Sequence, residues 1–158
     1  MSRGGRERPG SRPLHLQLPA ILMVMGGGAL GTLCRYWLNT AIPTPDGWPL
    51  PTLLINLSGA FALGLLLEAL ARRGPDVGMR RTLRLLAGTG FLGAFTTYST
   101  LALDANLLLS ADRIADAVAF MLLSVIGGLA TGAAGVWVAA ARRAAGPQES
   151  SGTETDAR

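Results

Sequence analysis

The stretch that decides the fold is LLAGTGFLGAFTTYSTLALDANLLL, residues 85–109. It exceeds the roughly 20 mainly apolar residues that a helix needs to cross a bilayer, and Asp104 is its only charged residue. Its centre is unusual, because closely spaced glycines lead into a run of hydroxyl residues. Glycine residues and residues with hydroxyl side chains both weaken a helix. The stretch therefore predicts a membrane-spanning helix that is broken in its middle.

Three further apolar blocks have the length of a membrane span, at residues 19–38, 52–70 and 115–141. Hydrophobic residues make up 49% of the chain and charged residues only 15%, which is typical of a membrane protein. We expect an all-α integral membrane protein of four transmembrane helices with a broken third helix, over residues 19–142. We expect residues 1–18 to be a disordered basic cytoplasmic tail and residues 143–158 a disordered polar tail.

The basic residues, all arginines, adjoin the apolar blocks. This placement favours contact with membrane lipid over binding of nucleic acid. The two tails and the loop after the second block hold nearly all of them, whereas the other two loops contain only Arg113. The positive-inside rule then predicts a multi-pass protein of the cell membrane, plasma or inner, with both termini in the cytoplasm.

Residues that would support catalysis are missing from the sequence. We find no combination of nucleophile, base and orienting group, no phosphate-binding lysine loop and no cluster of metal-ligating side chains. The lone Cys34 excludes an intrachain disulfide framework. We expect neither an enzyme nor a bound organic cofactor.

Polar residues within the apolar blocks are the candidate functional residues. Asn56 must find partners in hydrocarbon, either by bonding another helix or by lining a polar path, and Thr52 shares its helix face. Arg35 either snorkels to the interface or draws anions into a vestibule. Ser124 belongs to a small-residue repeat that favours packing, with a role as a pore donor as the alternative.

The glycine and hydroxyl run of the third block allows two interpretations. A break in the helix would free carbonyls that can hold a cation and N–H groups that can face an anion. Alternatively, the small residues serve only for close helix packing.

Three motifs resemble those of the CrcB family, the Fluc fluoride channels: GALGTLCRY at 28–36, TLLINLSG at 52–59 and GFLGAFTTYST at 90–100. The resemblance covers about residues 20–142. It implies a fluoride-selective channel subunit that exports fluoride passively, in an antiparallel dual-topology dimer with two pores and a central structural sodium ion.

The resemblance also implies roles for individual residues. The main-chain carbonyls of Gly93 and Thr96 would hold the sodium ion. The resemblance further implies that Asn56 lines the fluoride path and that Ser99 and Thr100 form a polar track. Together with the polar residues singled out above, and with Tyr98 for its ring edge, the predicted path comprises Thr52, Asn56, Tyr98, Ser99, Thr100 and Ser124, with Arg35 as a vestibule or interface charge. Neutral amide and hydroxyl donors suit a small, strongly hydrated anion.

Two departures from the family pattern bear on assembly. Tyr98 and Leu101 stand where the family has phenylalanines, so one aromatic anion site is missing. The arginine asymmetry also argues against insertion in both orientations, and we expect the partner to be an oppositely oriented homologue rather than a second copy. The alternative functions are a small dual-topology multidrug exporter, for which the first two spans lack a central carboxylate, and a membrane scaffold without transport.

Overall fold

The computed structural model describes residues 17–144, with side chains as far as residue 142, and the predicted tails lie almost entirely outside this range. The described chain is helical, which confirms the all-α prediction. Its helices are α1 (Leu18–Ala41), α2 (Leu50–Ala71), α3 (Met79–Leu83), α4 (Gly93–Phe95), α5 (Tyr98–Ser110) and α6 (Ile114–Ala144). A π-helical segment, Arg84–Leu92, joins α3 to α4, and a short 3-10 turn, Pro45–Gly47, precedes α2.

Three of the described helices, α1, α2 and α6, are long and apolar enough to cross a membrane. The shortest of them, α2, has 22 residues. At 1.5 Å per residue it measures about 33 Å, which matches a hydrocarbon core of about 30 Å. The chain is therefore built as a multi-pass membrane protein.

Glycines bring two pairs of segments into backbone contact. A Cβ atom on Gly64 of α2 would lie 2.3 Å from the Gly132 carbonyl of α6, and one on Gly135 would lie 2.2 Å from the Phe61 carbonyl. The α1 helix approaches the π-helical segment in the same way, at Gly27 and Gly31. Close contact of this kind is how membrane helices associate when lipid supplies no hydrophobic driving force.

In both of these pairs, α2 with α6 and α1 with the π-helical segment, the two segments run in the same direction. Leu57 meets Gly127 and Gly64 meets Gly132, so residue numbers rise together along α2 and α6. The start of α1, the end of α2, the start of α3 and the end of α6 consequently share one end of the bundle. The arginines between residues 72 and 84, together with Arg142, lie at this end of the bundle, which we call the arginine-rich end.

At the opposite end of the bundle, an aromatic contact and the hydrogen bonds of Arg113 join the loop before α2 to α6. The Trp48 ring meets the buried Phe120 ring edge-on at a centroid distance of 5.7 Å. Arg113 donates to the Asp46 carbonyl at 2.6 Å and to the Asp116 carboxylate at 2.7 Å. These contacts tie the loop before α2 to the start of α6.

Replacing Gly31 with valine is expected to separate α1 from the π-helical segment. A Cβ atom there would lie 2.2 Å from the Phe91 carbonyl, and the backbone cannot yield without moving a helix. Overpacking of this kind costs about 1–3 kcal/mol, or about 5 °C in melting temperature. Thermal unfolding of the detergent-solubilised protein measures the loss. Gly26→Val is the matched control, because a Cβ at Gly26 meets nothing within 4 Å, and equal melting of both variants would contradict the predicted contact.

Candidate functional site

Helical geometry stops for two residues in the middle of the described chain. Helix α4 ends at Phe95 and α5 begins at Tyr98, while Thr96 (φ −76°, ψ 154°) and Thr97 (φ −147°, ψ 123°) are extended. Thr97 caps α5, because its side-chain oxygen accepts a hydrogen bond from the Thr100 N–H at 3.2 Å. A threonine hydroxyl is well suited to this capping position.

Asn56 pairs with the backbone of this interruption. Its Nδ2 donates to the Thr97 carbonyl at 3.0 Å, and its Oδ1 accepts from the Thr97 N–H at 2.9 Å. The side-chain amide thus satisfies both polar groups of a residue that has left the helix, as buried backbone groups require. Of the two roles left open for Asn56, this geometry shows the bond to another segment, and it places that bond at the interruption.

The interruption deprives the carbonyls of residues 93–96 of their usual helical donors, those of Gly93 and Thr96 among them. In a continuous helix the Gly93 carbonyl would accept from the Thr97 N–H and the Thr96 carbonyl from the Thr100 N–H. Those N–H groups are bonded instead to the side chains of Asn56 and Thr97. The carbonyls of Gly93 and Thr96 are therefore available to an outside partner, and carbonyl oxygen is the ligand type that sodium takes at unwound helices.

Hydroxyl groups form a small cluster around Thr97. Its Oγ1 donates to the Thr100 Oγ1 at 3.0 Å and lies 3.3 Å from the Ser99 Oγ. Thr97 is buried, Thr100 half-buried and Ser99 exposed, so the cluster runs from the interior to the surface of the chain. Tyr98, between them, is 83% exposed.

A groove of about 240 Å³ opens beside the interruption, between α1, α2 and the start of α5. Its lining residues are Thr32, Arg35, Tyr36, Asn39, Thr52, Ile55, Thr97 and Thr100. Arg35 is the only charged residue of this lining. The groove therefore combines one positive charge with hydroxyl and amide groups, a composition that favours an anion.

Thr52 connects this groove to a carboxylate. It is 3% exposed, and its Oγ1 donates to the Asp104 Oδ2 at 2.6 Å. Asp104 also lines a second groove, of about 260 Å³, together with Arg113. The hydrogen-bond partner of Asp104 is thus a threonine hydroxyl, although Arg113 lines the same groove.

The predicted site residues do not all lie together. Arg35, Thr52 and Thr100 line the groove, and Asn56 and Ser99 each contact Thr97 of its lining. Ser124 is buried elsewhere, where its Oγ donates to the Phe120 carbonyl of its own helix at 2.7 Å.

Five lining residues were not singled out as site residues from the sequence: Thr32, Tyr36, Asn39, Ile55 and Thr97. Thr32, Arg35 and Asn39 are three and four residues apart, so the face of α1 that carries Arg35 was a usable signal. Thr97 carried no signal of its own, because nothing distinguishes it from its neighbouring hydroxyl residues until the partner of Asn56 is known.

Similarity to known proteins is extensive. Residues 22–136 match the family described as CrcB-like protein, Camphor Resistance (CrcB). A protein of Leifsonia xyli subsp. xyli named fluoride-specific ion channel FluC 2 is 46% identical over 134 residues, which cover 85% of this chain and 92% of that protein. The fluoride-specific ion channel FluC 1 of Cutibacterium acnes is 47% identical over 117 residues (73% and 79%), and the fluoride-specific ion channel FluC of Gloeobacter violaceus is 44% identical over 124 residues (76% and 95%).

Proposed function

The chain belongs to the CrcB-like family, and we propose that it is a subunit of a fluoride-specific ion channel that lets fluoride leave the cytoplasm passively. Relatives that carry the name of such a channel match it over most of their length. The protein is a channel subunit and not an enzyme. A proton-coupled exporter is not favoured, because Glu68, the only carboxylate within α1 and α2, pairs with Arg72 at the end of α2.

The observation that carries the proposal is the pairing of Asn56 with Thr97 beside the groove that contains Arg35. Fluoride is small and strongly hydrated, so a channel must replace its water with close donors and still release it. Side chains held by cross-segment hydrogen bonds keep such donors in place. Neutral donors avoid the deep binding that an unshielded cation would cause.

We propose a path along this groove. Arg35 attracts the anion, and Asn56 and the hydroxyls of Ser99 and Thr100 replace parts of its hydration shell. Thr52 contributes a donor only if its hydroxyl turns away from the Asp104 carboxylate. The exposed ring edge of Tyr98 faces the anion, since aromatic edges are weakly positive. Ser124 joins the path only if its hydroxyl rotates away from the Phe120 carbonyl.

We propose further that residues 79–110 cross the membrane as one interrupted span, the third of four. Such irregular backbone is tolerated at membrane depth where protein or water covers it. Gly93 and Tyr98 are exposed in the single chain, which supports their being covered by a second subunit. We place that subunit antiparallel to the first, so that the two interruptions face each other.

A sodium ion fits the carbonyls of Gly93 and Thr96. Both carbonyls have lost their helical donors, so one chain can supply two main-chain ligands through them. An antiparallel pair would supply four. The ion would therefore hold two subunits together at their interruptions, as a structural element rather than as cargo.

We also propose an orientation for this subunit in the membrane. By the positive-inside rule, its arginine-rich end, and with it both termini, would face the cytoplasm. We propose that its partner in the cell is an oppositely oriented homologue, which would also supply the aromatic ring that Leu101 lacks. Accessibility labelling of both ends in intact cells tests this, and equal labelling from the two sides of the membrane would contradict it.

Expression together with an oppositely oriented homologue, in bacteria that otherwise lack fluoride efflux, tests the function in a native membrane, with the homologue expressed alone as the control. The proposal predicts lower cytoplasmic fluoride and growth at fluoride concentrations that stop the parent cells. Expression of correctly inserted protein without any change in cytoplasmic fluoride would contradict it.

A further inference from the structure

The arginine-rich end contains a groove that the proposed fluoride path does not use. It lies between the last turns of α2 and α6 and has a volume of about 320 Å³. Its lining residues are Leu65, Ala69, Arg72, Arg73, Ala139 and Arg142. The groove thus has an apolar floor of one leucine and two alanines, and a basic rim of three arginines.

The rim keeps most of its positive charge. Arg72 forms an ion pair with Glu68 on the same helix. The lining itself contains no carboxylate, and within the described part of the chain neither Arg73 nor Arg142 forms an ion pair through its guanidinium. Two guanidinium groups therefore face the groove without an anionic partner, and guanidinium matches phosphate in both charge and geometry.

The position of the groove at the ends of two membrane helices favours one kind of phosphate-bearing ligand over another. Its floor belongs to two helices that are apolar enough to cross a membrane, and its rim lies at and beyond their ends. From Leu65 to Arg73 the groove extends about 12 Å along the helix axis. A free anion would match the rim alone, whereas a phospholipid matches the rim with its headgroup and the floor with its acyl chain.

We propose that this groove binds one anionic phospholipid. The phosphate lies between Arg73 and Arg142, and the first part of an acyl chain covers Leu65, Ala69 and Ala139. A basic site at the end of membrane helices prefers lipids with net negative charge over zwitterionic ones. The site is separate from fluoride conduction and does not depend on it.

Native mass spectrometry of the full-length protein in detergent tests the proposal by titration with phosphatidylglycerol or phosphatidylcholine. Two arginines near a headgroup predict binding of phosphatidylglycerol about thirty-fold tighter than of phosphatidylcholine. The double variant R73Q/R142Q is expected to lose this preference. The matched control R81Q/R84Q removes the same charge from the same end outside the groove, without touching the hydrogen bond between Arg80 and the Arg73 carbonyl, and is expected to keep the preference.

A floor variant separates a lipid site from a site for any phosphate. Ala69→Leu fills the floor without changing charge, and it is expected to weaken phosphatidylglycerol binding because the acyl chain no longer fits there. R73Q/R142Q, in contrast, weakens binding because it removes the contacts to the headgroup. Equal binding of the two lipids, or equal loss in R73Q/R142Q and R81Q/R84Q, would overturn the proposal. So would displacement of phosphatidylglycerol by an equal concentration of inorganic phosphate, or unchanged binding to Ala69→Leu.

Discussion

Replacement of Asn56 with leucine is expected to reduce fluoride efflux by about a hundred-fold. The substitution removes both hydrogen bonds to Thr97, so its N–H loses its partner and its carbonyl keeps only the helical donor of α5. One unpaired buried N–H and one further lost hydrogen bond together cost about 2–4 kcal/mol, and each 1.36 kcal/mol in a barrier is a factor of ten. The initial rate of fluoride efflux from liposomes measures the effect.

Asn106→Leu is the matched control for this experiment. Asn106 is exposed on α5, and the same change of side chain there removes no hydrogen bond found in the described part of the chain. Asn56→Asp, which keeps an acceptor for the Thr97 N–H, is expected to retain more folded protein than Asn56→Leu. If Asn56→Leu conducted as well as Asn106→Leu, the pairing at the interruption would have no part in conduction.

Reversal of the charge at Arg35 is expected to have a comparable effect. Arg35 is half-buried and is the only charged residue lining the groove beside the interruption. Glutamate there would repel an entering anion, and opposed like charges cost several kcal/mol, so we expect Arg35→Glu to slow fluoride efflux by about a hundred-fold. The same liposome measurement applies, repeated at two salt concentrations.

The control for Arg35→Glu is Arg81→Glu, which makes the same change of charge at the arginine-rich end, outside the groove. Arg35→Lys keeps the charge and is expected to conduct at a rate close to that of the unmodified protein. Equal slowing by Arg35→Glu and Arg81→Glu would mean that overall charge, and not the groove, governs entry of the anion.

The helical fold was predictable because a bilayer requires apolar runs of about 20 residues, and such runs are visible in the sequence. The four runs of span length are separated by a proline-rich loop, an arginine-rich loop and a short polar turn, and a helix is the structure that satisfies the backbone of each run within a bilayer. Which residues pack against each other between these helices could not be predicted as well. Gly64 and Gly132 meet across α2 and α6, but the sequence shows only that each helix contains small residues and not which of them face each other. The π-helical segment Arg84–Leu92 likewise had no distinct sequence signal.

The candidate site was predictable in its residue types but not in its connections. Asn56 and Thr52 stood out because polar side chains in hydrocarbon need partners. Their partners, Thr97 and Asp104, lie 41 and 52 residues away in sequence, and only the fold brings them together. Thr32 and Asn39 entered the site for the same reason, since their importance depends on what α1 faces.

Anion efflux from liposomes containing the purified protein tests the central claim most directly. Detergent removes the sidedness that the cell membrane imposes, so two copies can pair in opposite orientations during reconstitution. With fluoride and chloride electrodes in the same vesicle suspension, the account predicts rapid loss of fluoride while chloride is retained. Retention of fluoride by vesicles that contain folded protein, or loss of chloride at the same rate as fluoride, would contradict it.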